Sequence, residues 1–283
     1  MNVTRITKYW SEFHPVEERI SLNQKTCLGW TLPESIKTCA KYGMKWYGPR
    51  IDSLRTYGLR ESRQLLDDCG MEISSVCFSG KYVHADRREY WKRLDECLRC
   101  IDDTAQVRGN VLVIMPGTDG KTSMEDCLKI TEEGLEYLVK YAEKAGVILG
   151  LEPLHPMYAA DLSALVTVRQ AMDIIESINH PNLMLTLDVF HTWWDPELFL
   201  QIDRASRKIC GFHVSDWAPI RFSTNSSRGM IGDGMIPIRR IRTALEKTEY
   251  YGPIEVEIFN EDLWRIPCAE MLKLCIERYR EFV

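Results

Sequence analysis

The chain has 283 residues, with 36 Lys and Arg against 41 Asp and Glu, and a formal net charge of −5. Hydrophobic residues make up 45% and charged residues 27%, which is typical of a folded soluble domain and excludes intrinsic disorder and collagen-like repetition. No apolar run approaches the roughly 18 residues that span a bilayer. Residues 1–22 lack the apolar stretch of a signal peptide, so we expect a cytoplasmic protein without a membrane partner. The acidic balance also argues against a nucleic-acid partner.

The ten cysteines fall mostly within apolar segments. Without a secretion signal, we expect reduced thiols that pack as small apolar side chains. Cys97 and Cys100 form a C-x-x-C pair, but no second pair accompanies it. Structural zinc needs four ligands, so a zinc site there is disfavoured.

Short β-rich runs alternate with longer amphipathic segments along the whole chain. In the first half, Thr31 and Ser123 are candidate helix N-caps, and Gly70 and Gly146 are candidate helix stops. The predicted strands there are 23–28, 45–48, 72–78 and 111–115, and the predicted helices begin at 31 and cover 58–69, 86–106 and 123–145. In the second half, the predicted strands are 147–151, 184–187, 209–214 and 254–259, and the predicted helices are 166–178, 196–205, 237–248 and 266–281.

Eight successive strand–helix units predict a parallel sheet with right-handed crossovers. Eight units in this length predict an α/β fold of the (β/α)8 TIM barrel type, a single domain over residues 23–283 behind a short N-terminal extension, residues 1–22. The alternative is a doubly wound open sheet. That fold normally carries a glycine-rich phosphate-binding turn after its first strand, whereas residues 26–30 read Thr-Cys-Leu-Gly-Trp.

Polar residues end four consecutive predicted strands, the fifth to the eighth: Glu152, Asp188, His213 and Glu257. Because barrel chemistry sits at the C-terminal ends of the strands, we expect these four side chains to converge. Each alone could be a buried residue satisfied by hydrogen bonds, but three clustered carboxylates repel one another, and a divalent cation offsets that repulsion. Oxygen ligands with one nitrogen favour Mn²⁺, Mg²⁺ or Co²⁺. Glu255 points the same way as Glu257, and Glu257 is preferred because it lies nearer the end of the strand.

Further polar and aromatic residues follow these strand ends. His155, His191 and Asp216 each lie three residues after a predicted ligand, and Trp194 closes a tryptophan pair. We consider His191, Asp216 and Trp194 as substrate-binding residues, with Trp194 stacking on a sugar ring. The alternatives are that the histidines orient a metal ligand and that the tryptophans only pack.

A long polar loop, residues 217–235, carries Arg221 and Arg228. A loop of this length inside a compact domain is usually a lid or a binding segment. We therefore predict Arg228 as a substrate-binding residue.

These segments resemble the xylose-isomerase-like barrel superfamily, often described as sugar phosphate isomerases/epimerases. The matching segments are Leu151-Glu-Pro-Leu-His-Pro156, Leu187-Asp-Val-Phe-His191, Phe212-His-Val-Ser-Asp216, Gly232-Asp-Gly234 and Glu255-Val-Glu-Ile-Phe259. The resemblance covers the barrel from about residue 22 on. It implies one divalent metal ion, usually Mn²⁺, held by the four strand-end residues, and a side-chain base that removes the proton α to a sugar carbonyl.

Within this superfamily, the Glu152-Pro-Leu-His155-Pro segment and the tryptophan pair resemble the large (α) subunit of C-glycoside deglycosidases. Those enzymes cleave the carbon–carbon bond between a 3-oxo sugar and an aromatic aglycone, together with a small β-rich partner subunit. The resemblance implies a 3-oxo-C-glycoside substrate, with His155 removing the C2 proton and the aglycone leaving from C1. We also expect the chain to form an oligomer.

Two other functions stay open. A ketose 3-epimerase or aldose–ketose isomerase would use Glu152 and Glu257 as paired acid and base on a sugar. A non-catalytic sugar-binding subunit would not need to keep four costly ligands. An apurinic-site endonuclease of the same barrel type would need three zinc ions, and the early strands supply almost no ligands for them.

Overall fold

The computed structural model describes residues 10, 12–218, 223 and 226–283. Arg221 and residues 1–9 of the predicted extension lie outside this part. The strands of the described part are β1 Ile20–Asn23, β2 Trp46–Gly48, β3 Glu72–Ile73, β4 Val76–Gly80, β5 Val111–Met115, β6 Ile148–Leu151, β7 Leu183–Asp188, β8 Ile209–Val214, β9 Asp216–Trp217, β10 Arg228–Gly229 and β11 Ile254–Val256. The helices are α1 Leu32–Lys41, α2 Ile51–Tyr57, α3 Leu59–Cys69, α4 Arg87–Gln106, α5 Met124–Ala145, α6 Val168–Ile178, α7 Val189–Thr192, α8 Leu198–Ala205, α9 Ile238–Lys247 and α10 Cys268–Phe282.

Nine strands form one parallel sheet in the order β3-β2-β1-β11-β8-β7-β6-β5-β4. The two ends of this sheet, β3 and β4, are consecutive in the chain and are joined by Ser74 and Ser75. Cys77 donates its backbone N–H to the Pro49 carbonyl at 3.0 Å, so β4 continues beside the end of β2. β3 and β4 are therefore two segments of a single barrel strand. The prediction of a single-domain (β/α)8 TIM barrel is confirmed.

Most helix ends lie where the local sequence signals predicted them. Thr31 begins α1 in a capping box, in which the Glu34 carboxylate accepts the Thr31 N–H at 2.8 Å. The Ser123 hydroxyl caps α5. Gly70 and Gly146 end α3 and α5 with φ of 63° and 72°, a left-handed conformation that glycine adopts without steric cost.

The predicted first strand, residues 23–28, is wrong. β1 is Ile20–Asn23, so it begins inside the predicted N-terminal extension, and Gln24–Cys27 forms a 3-10 helix. The Asn23 side chain accepts the Lys25 N–H at 3.0 Å, and this turn ends the strand. Asn23 and Lys25 consequently move from the start of a strand to the C-terminal mouth of the barrel.

The core lies inside the barrel and between the strands and the helices. Every residue of β5, β6, β7 and β8 is buried, as expected for parallel strands covered on both faces. Each fully buried aliphatic side chain contributes about 1.5–3 kcal/mol, so this core carries most of the stability. Among the described residues, no helix is long and apolar enough to cross a membrane.

Trp10 and Arg19, which precede β1, pack against the N-terminal end of the barrel. The buried Arg19 guanidinium donates to the Gly252 carbonyl at 2.9 Å and pairs with Glu246 at 2.5 Å. The Trp10 carbonyl accepts the Tyr251 N–H at 2.6 Å. These contacts close the face opposite the polar strand ends and leave the C-terminal face as the open one.

Candidate active site

The four predicted metal ligands meet at the C-terminal end of the barrel. Glu152 follows β6, Asp188 ends β7, His213 lies in β8 and Glu257 follows β11. Each offers one ligand atom, and these four atoms all lie within 4.8 Å of one another. His213 Nδ1 is 3.5 Å from Glu152 Oε1 and 3.5 Å from Glu257 Oε2. All four residues are buried.

The hydrogen bonding of this cluster is incomplete in a way that fits a metal ion. Glu152 Oε1 and His213 Nδ1 are buried and have no hydrogen-bond partner among the residues that the structure describes. Leaving a buried polar atom unpaired costs about 1–3 kcal/mol, so these two atoms need a partner between them. Three carboxylates and one imidazole are a ligand set that divalent cations accept. The residues present could therefore hold a divalent metal.

The pKa values of the three cluster carboxylates are shifted in different directions, upward where burial dominates and downward where neighbouring cations dominate. Burial raises the pKa of Glu152, and it raises the pKa of Asp188 to about 7 against the opposing charge of Arg228. Burial would also raise the pKa of Glu257, but Arg228 and His213 outweigh it and hold that pKa well below its usual value. The cluster thus carries more negative charge than burial alone tolerates, and it depends on cations.

Arg228, predicted as a substrate-binding residue, is a buried cation at the edge of the cluster. Its Nη1 lies 2.6 Å from Asp188 Oδ2 and 3.2 Å from Glu257 Oε2. Its Nη2 lies 3.1 Å from His191 Nε2. The centres of the Phe190 and Phe259 rings each lie 4.6 Å from its guanidinium carbon. Arg228 therefore neutralises part of the carboxylate charge and still faces the space above the cluster.

A further buried carboxylate, Glu255, lies behind His213. It accepts hydrogen bonds from Asn23 Nδ2 at 2.6 Å, Ser74 Oγ at 2.7 Å and Ser75 Oγ at 2.8 Å. Its Oε2 is 3.7 Å from His213 Nε2. Burial opposes the imidazolium, but Glu255 leads the charges that hold the pKa of His213 well above its usual value. A carboxylate behind a histidine orients the ring, and here it turns Nδ1 toward the cluster.

The break in the third barrel strand explains how two adjacent serines reach Glu255. In a regular strand, consecutive side chains point to opposite faces. Ser74 and Ser75 lie between β3 and β4, where the pairing is interrupted, and both hydroxyls bind the same carboxylate. Gly48 leaves room for Glu255, because a Cβ there would lie 2.0 Å from Glu255 Oε1. Sequence reasoning missed these residues, although two adjacent serines inside a predicted apolar strand were a visible signal.

A cavity of about 400 Å³ opens above the cluster. Glu152, His191, Arg228 and Glu257, all predicted site residues, line one side of it. Burial, and then the charge of Arg228, lowers the pKa of His191 well below its usual value, so the imidazole is neutral. Residues of the first half of the barrel, which the sequence did not indicate, also line it, and one of them, Asn23, donates from Nδ2 to Glu257 Oε1 at 3.0 Å. These residues are Asn23, Lys25, Arg50, Asp52, Cys77 and Lys81.

His155 and Trp194 are not among the residues that line this cavity, in contrast to the prediction. His155 Nδ1 accepts the Met157 N–H at 3.2 Å and caps a 3-10 turn. The His155 ring packs against Trp194 and Trp217, with centroids 5.6 and 5.0 Å apart. The Trp194 indole donates to the His191 carbonyl at 2.7 Å. Their hydrogen bonds and packing hold the loops after β6 and β7.

Asp216 also lies away from the cavity, in contrast to the prediction that it binds substrate. One of its oxygens accepts the N–H groups of Trp217 and Ile236, at 2.8 and 3.0 Å. The other accepts the Gly232 N–H at 3.0 Å. Both oxygens are used by backbone donors, so Asp216 shapes the loop that leads into α9. Spacing alone could not separate this loop-holding carboxylate from a ligand.

Comparison with known proteins gives the family. A family model described as "Xylose isomerase-like TIM barrel" matches residues 36–275. Inosose isomerase of Bacillus velezensis is 24% identical over 273 residues, which cover 92% of this chain and 95% of that one. L-ribulose-5-phosphate 3-epimerase UlaE of Shigella flexneri is 25% identical over 144 residues, 50% of this chain and 47% of that one.

Solved structures agree on the fold. A protein of Sinorhizobium meliloti 1021 superposes with a TM-score of 0.91 at 33% identity, over 94% of this chain and 98% of that one. The IolI protein, solved with a bound zinc atom, superposes with a TM-score of 0.83 at 21% identity, over 94% of this chain and 99% of that one.

Proposed function

This chain belongs to the xylose isomerase-like TIM barrel family, and we propose that it is a metal-dependent isomerase or epimerase of a small polyhydroxy ketone. The reaction would begin with removal of the proton α to the carbonyl, which gives an enediolate. Relatives named inosose isomerase and L-ribulose-5-phosphate 3-epimerase support this class of reaction. We propose Mn²⁺ as the resident cation, with Mg²⁺ or Co²⁺ as alternatives.

The observation that carries the proposal is the placement of two cavity-lining carboxylates around one imidazole. Glu152 and Glu257 each lie 3.5 Å from His213 Nδ1, and both reach the cavity. Together with Asp188 and His213 they would hold the cation. When bound, the cation supplies a Lewis acid that polarises the carbonyl and stabilises the charge that develops on its oxygen, which is worth several kcal/mol.

The chain's own carboxylates would move the proton. Glu257 follows β11 and Glu152 follows β6, with β8 and β7 between these strands, so the two carboxylates approach a substrate from different directions. One carboxylate removes the proton from carbon, and the other returns a proton to the opposite face or to the neighbouring carbon. The first outcome is an epimerisation, and the second is an isomerisation. Arg228 donates to substrate oxygens from the edge of the cluster.

An apolar wall of the same cavity favours a second candidate, elimination from a 3-oxo-C-glycoside. Phe78, Leu154 and Leu162 line the cavity and would accept an aromatic aglycone. This reaction would start from the same proton abstraction. Because His155 is not among the lining residues, the base in this reading would be Glu152 or Glu257. The small β-rich partner subunit and the oligomer remain predictions.

Proton NMR in D2O with Mn²⁺-loaded protein after removal of excess metal tests both reactions. We would offer ketopentoses, ketohexoses, 2-keto-myo-inositol and a 3-oxo-C-glucoside, each with and without EDTA. Deuterium entering a ketone substrate, with a new epimer or isomer, supports the main proposal if EDTA stops it. Release of aglycone alone supports the second. Exchange that survives EDTA, or that survives in the Glu152→Gln variant, contradicts the proposed site.

A further inference from the structure

Asn23 ends the first barrel strand, and its side-chain amide lies between two glutamates at the last barrel strand. The amide nitrogen, Nδ2, lies 2.6 Å from Glu255 Oε1 and 3.0 Å from Glu257 Oε1, with Cys77 Sγ farther away at 3.4 Å. This nitrogen carries two hydrogens, so it can donate one to each carboxylate. Alternate residues along a strand point to the same side, which is why one amide reaches both glutamates. Asn23 therefore links the carboxylate behind His213 to a carboxylate of the metal cluster.

The orientation of this amide is fixed by the turn that ends β1. Asn23 Oδ1 accepts the Lys25 N–H at 3.0 Å. A flipped amide would set its NH2 group against that N–H and its oxygen against two carboxylates, so donor would face donor and acceptor would face acceptor. Asn23 is buried, and a buried polar atom without a partner is costly. The turn thus directs both amide hydrogens toward the glutamates.

The two oxygens of Glu257 have different partners. Oε1 accepts the hydrogen bond from Asn23, whereas Oε2 lies 3.5 Å from His213 Nδ1 and 3.2 Å from Arg228 Nη1. The terminal torsion of a glutamate side chain is only weakly restricted by its own covalent geometry, so neighbouring groups decide how the carboxylate is turned. The bond from Asn23 to Oε1 therefore keeps Oε2 directed at the cluster.

We infer that Asn23 is a positioning residue for the proposed proton transfer: its two amide hydrogens hold Glu257 in the orientation in which it reacts and tie that orientation to Glu255. The inference rests on the proposed function, in which Glu257 removes or returns a proton. Reacting groups have to be held close to the productive geometry, and a small misplacement slows the chemical step. Loss of the amide should therefore lower kcat and leave KM nearly unchanged, because Asn23 acts on Glu257 rather than on the bound substrate.

Two substitutions separate the hydrogen-bond donors of Asn23 from its role in the turn. Asn23→Asp keeps an oxygen for the Lys25 N–H but has no N–H to donate, and Asn23→Ala removes the donors without adding a charge. For each ketone that the wild type exchanges, we expect kcat of deuterium exchange at saturating Mn²⁺ to fall about tenfold to a hundredfold in both variants, with KM nearly unchanged. Ser74→Ala is the matched control, because the Ser74 hydroxyl binds Glu255 and Ser21, and it should keep most of kcat.

Mn²⁺ affinity gives a second readout that needs no substrate. Competition against a chelating dye should show about tenfold weaker Mn²⁺ binding in Asn23→Ala than in the wild type, and a smaller loss in Ser74→Ala. Wild-type kcat in both Asn23 variants overturns the inference, and so does Mn²⁺ binding in Asn23→Ala that is no weaker than in Ser74→Ala. If the wild type exchanges no ketone but Asn23→Ala still weakens Mn²⁺ binding, the proposed function fails and the positioning of Glu257 by Asn23 stands.

Discussion

The two halves of the barrel contribute opposite chemistry to its mouth. The fifth to eighth strands supply the carboxylates and the imidazole of the metal cluster. The first three strands supply donors and cations: Asn23, Ser74 and Ser75 bind Glu255 behind the cluster, and Lys25 and Lys81 face the cavity. The half with the fifth to eighth strands, the acidic half, therefore concentrates negative charge. The half with the first three strands, the donor half, holds that charge in place with hydrogen bonds and places Lys25 and Lys81 at the cavity.

We expect the largest effect when one predicted metal ligand of the acidic half is removed. Glu152→Gln keeps the shape of the side chain but takes away the charge beside His213 Nδ1. We expect metal-dependent turnover to fall by about a thousandfold, because several kcal/mol of charge stabilisation is lost. Metal content by mass spectrometry and the deuterium-exchange rate measure the effect.

The same variant should raise the stability of the metal-free protein. Burial raises the pKa of Glu152, so keeping this carboxylate ionised at neutral pH costs folding free energy, and glutamine removes that cost. Urea unfolding in EDTA measures this. Glu270→Gln, at an exposed position of α10, is the control and should change neither quantity. Wild-type turnover in Glu152→Gln would show that Glu152 is neither a metal ligand nor a catalytic residue.

The next test removes the cation that the acidic half already contains. Arg228→Met keeps the apolar stem between the phenylalanine rings and leaves Asp188 and Glu257 without their shortest ion pairs. We expect the metal-free protein to lose about 3 kcal/mol of unfolding free energy, as for other buried pairs that lose one partner. Added Mn²⁺ should recover more stability in the variant than in the wild type. Unchanged stability in EDTA would mean that the carboxylates do not need Arg228.

Sequence reasoning found the acidic half because its residues break a simple pattern. Glu152, Asp188, His213 and Glu257 each follow or interrupt an apolar run, and the C-terminal ends of parallel strands meet in a barrel. The choice of Glu257 over Glu255 stays a prediction: Glu257 belongs to the four-residue cluster, and Glu255 lies behind His213 and forms a second possible ligand group with Cys77 and His213. Eight strand–helix units were enough to predict the architecture.

The donor half was missed for two physical reasons. The first strand was placed three residues too late at its start, because Thr26 and Cys27 suit a strand as well as the 3-10 turn they form. That shift hid Asn23 and Lys25, which lie at the mouth. Ser74 and Ser75 act together only because the third strand is interrupted, and interruptions in strand pairing are set by long-range contacts. His155 is the reverse case, a histidine at the predicted spacing whose Nδ1 accepts the Met157 N–H at the start of a 3-10 helix.

A smaller effect should come from the hydrogen bonds behind His213. Glu255→Gln removes the charge that orients the ring, and Gly48→Ala pushes a methyl group into the space that Glu255 occupies. We expect each variant to lower Mn²⁺ affinity by about tenfold to a hundredfold. Competition titration against a chelating dye measures this without turnover. Glu72→Gln, exposed on β3, is the control. Wild-type affinity in both variants would reduce Glu255 to a structural role.

The smallest expected effect is at His155, and it separates the two candidate reactions. A general base there would cost about a hundredfold or more when removed. The structure uses His155 Nδ1 to accept the Met157 N–H, and asparagine can supply an acceptor in a similar position. We therefore expect His155→Asn to keep nearly all metal-dependent deuterium exchange, measured by proton NMR, and to lower the melting temperature only slightly. A collapse of turnover with the fold and the metal content intact would return His155 to the chemistry and favour elimination from a 3-oxo-C-glycoside.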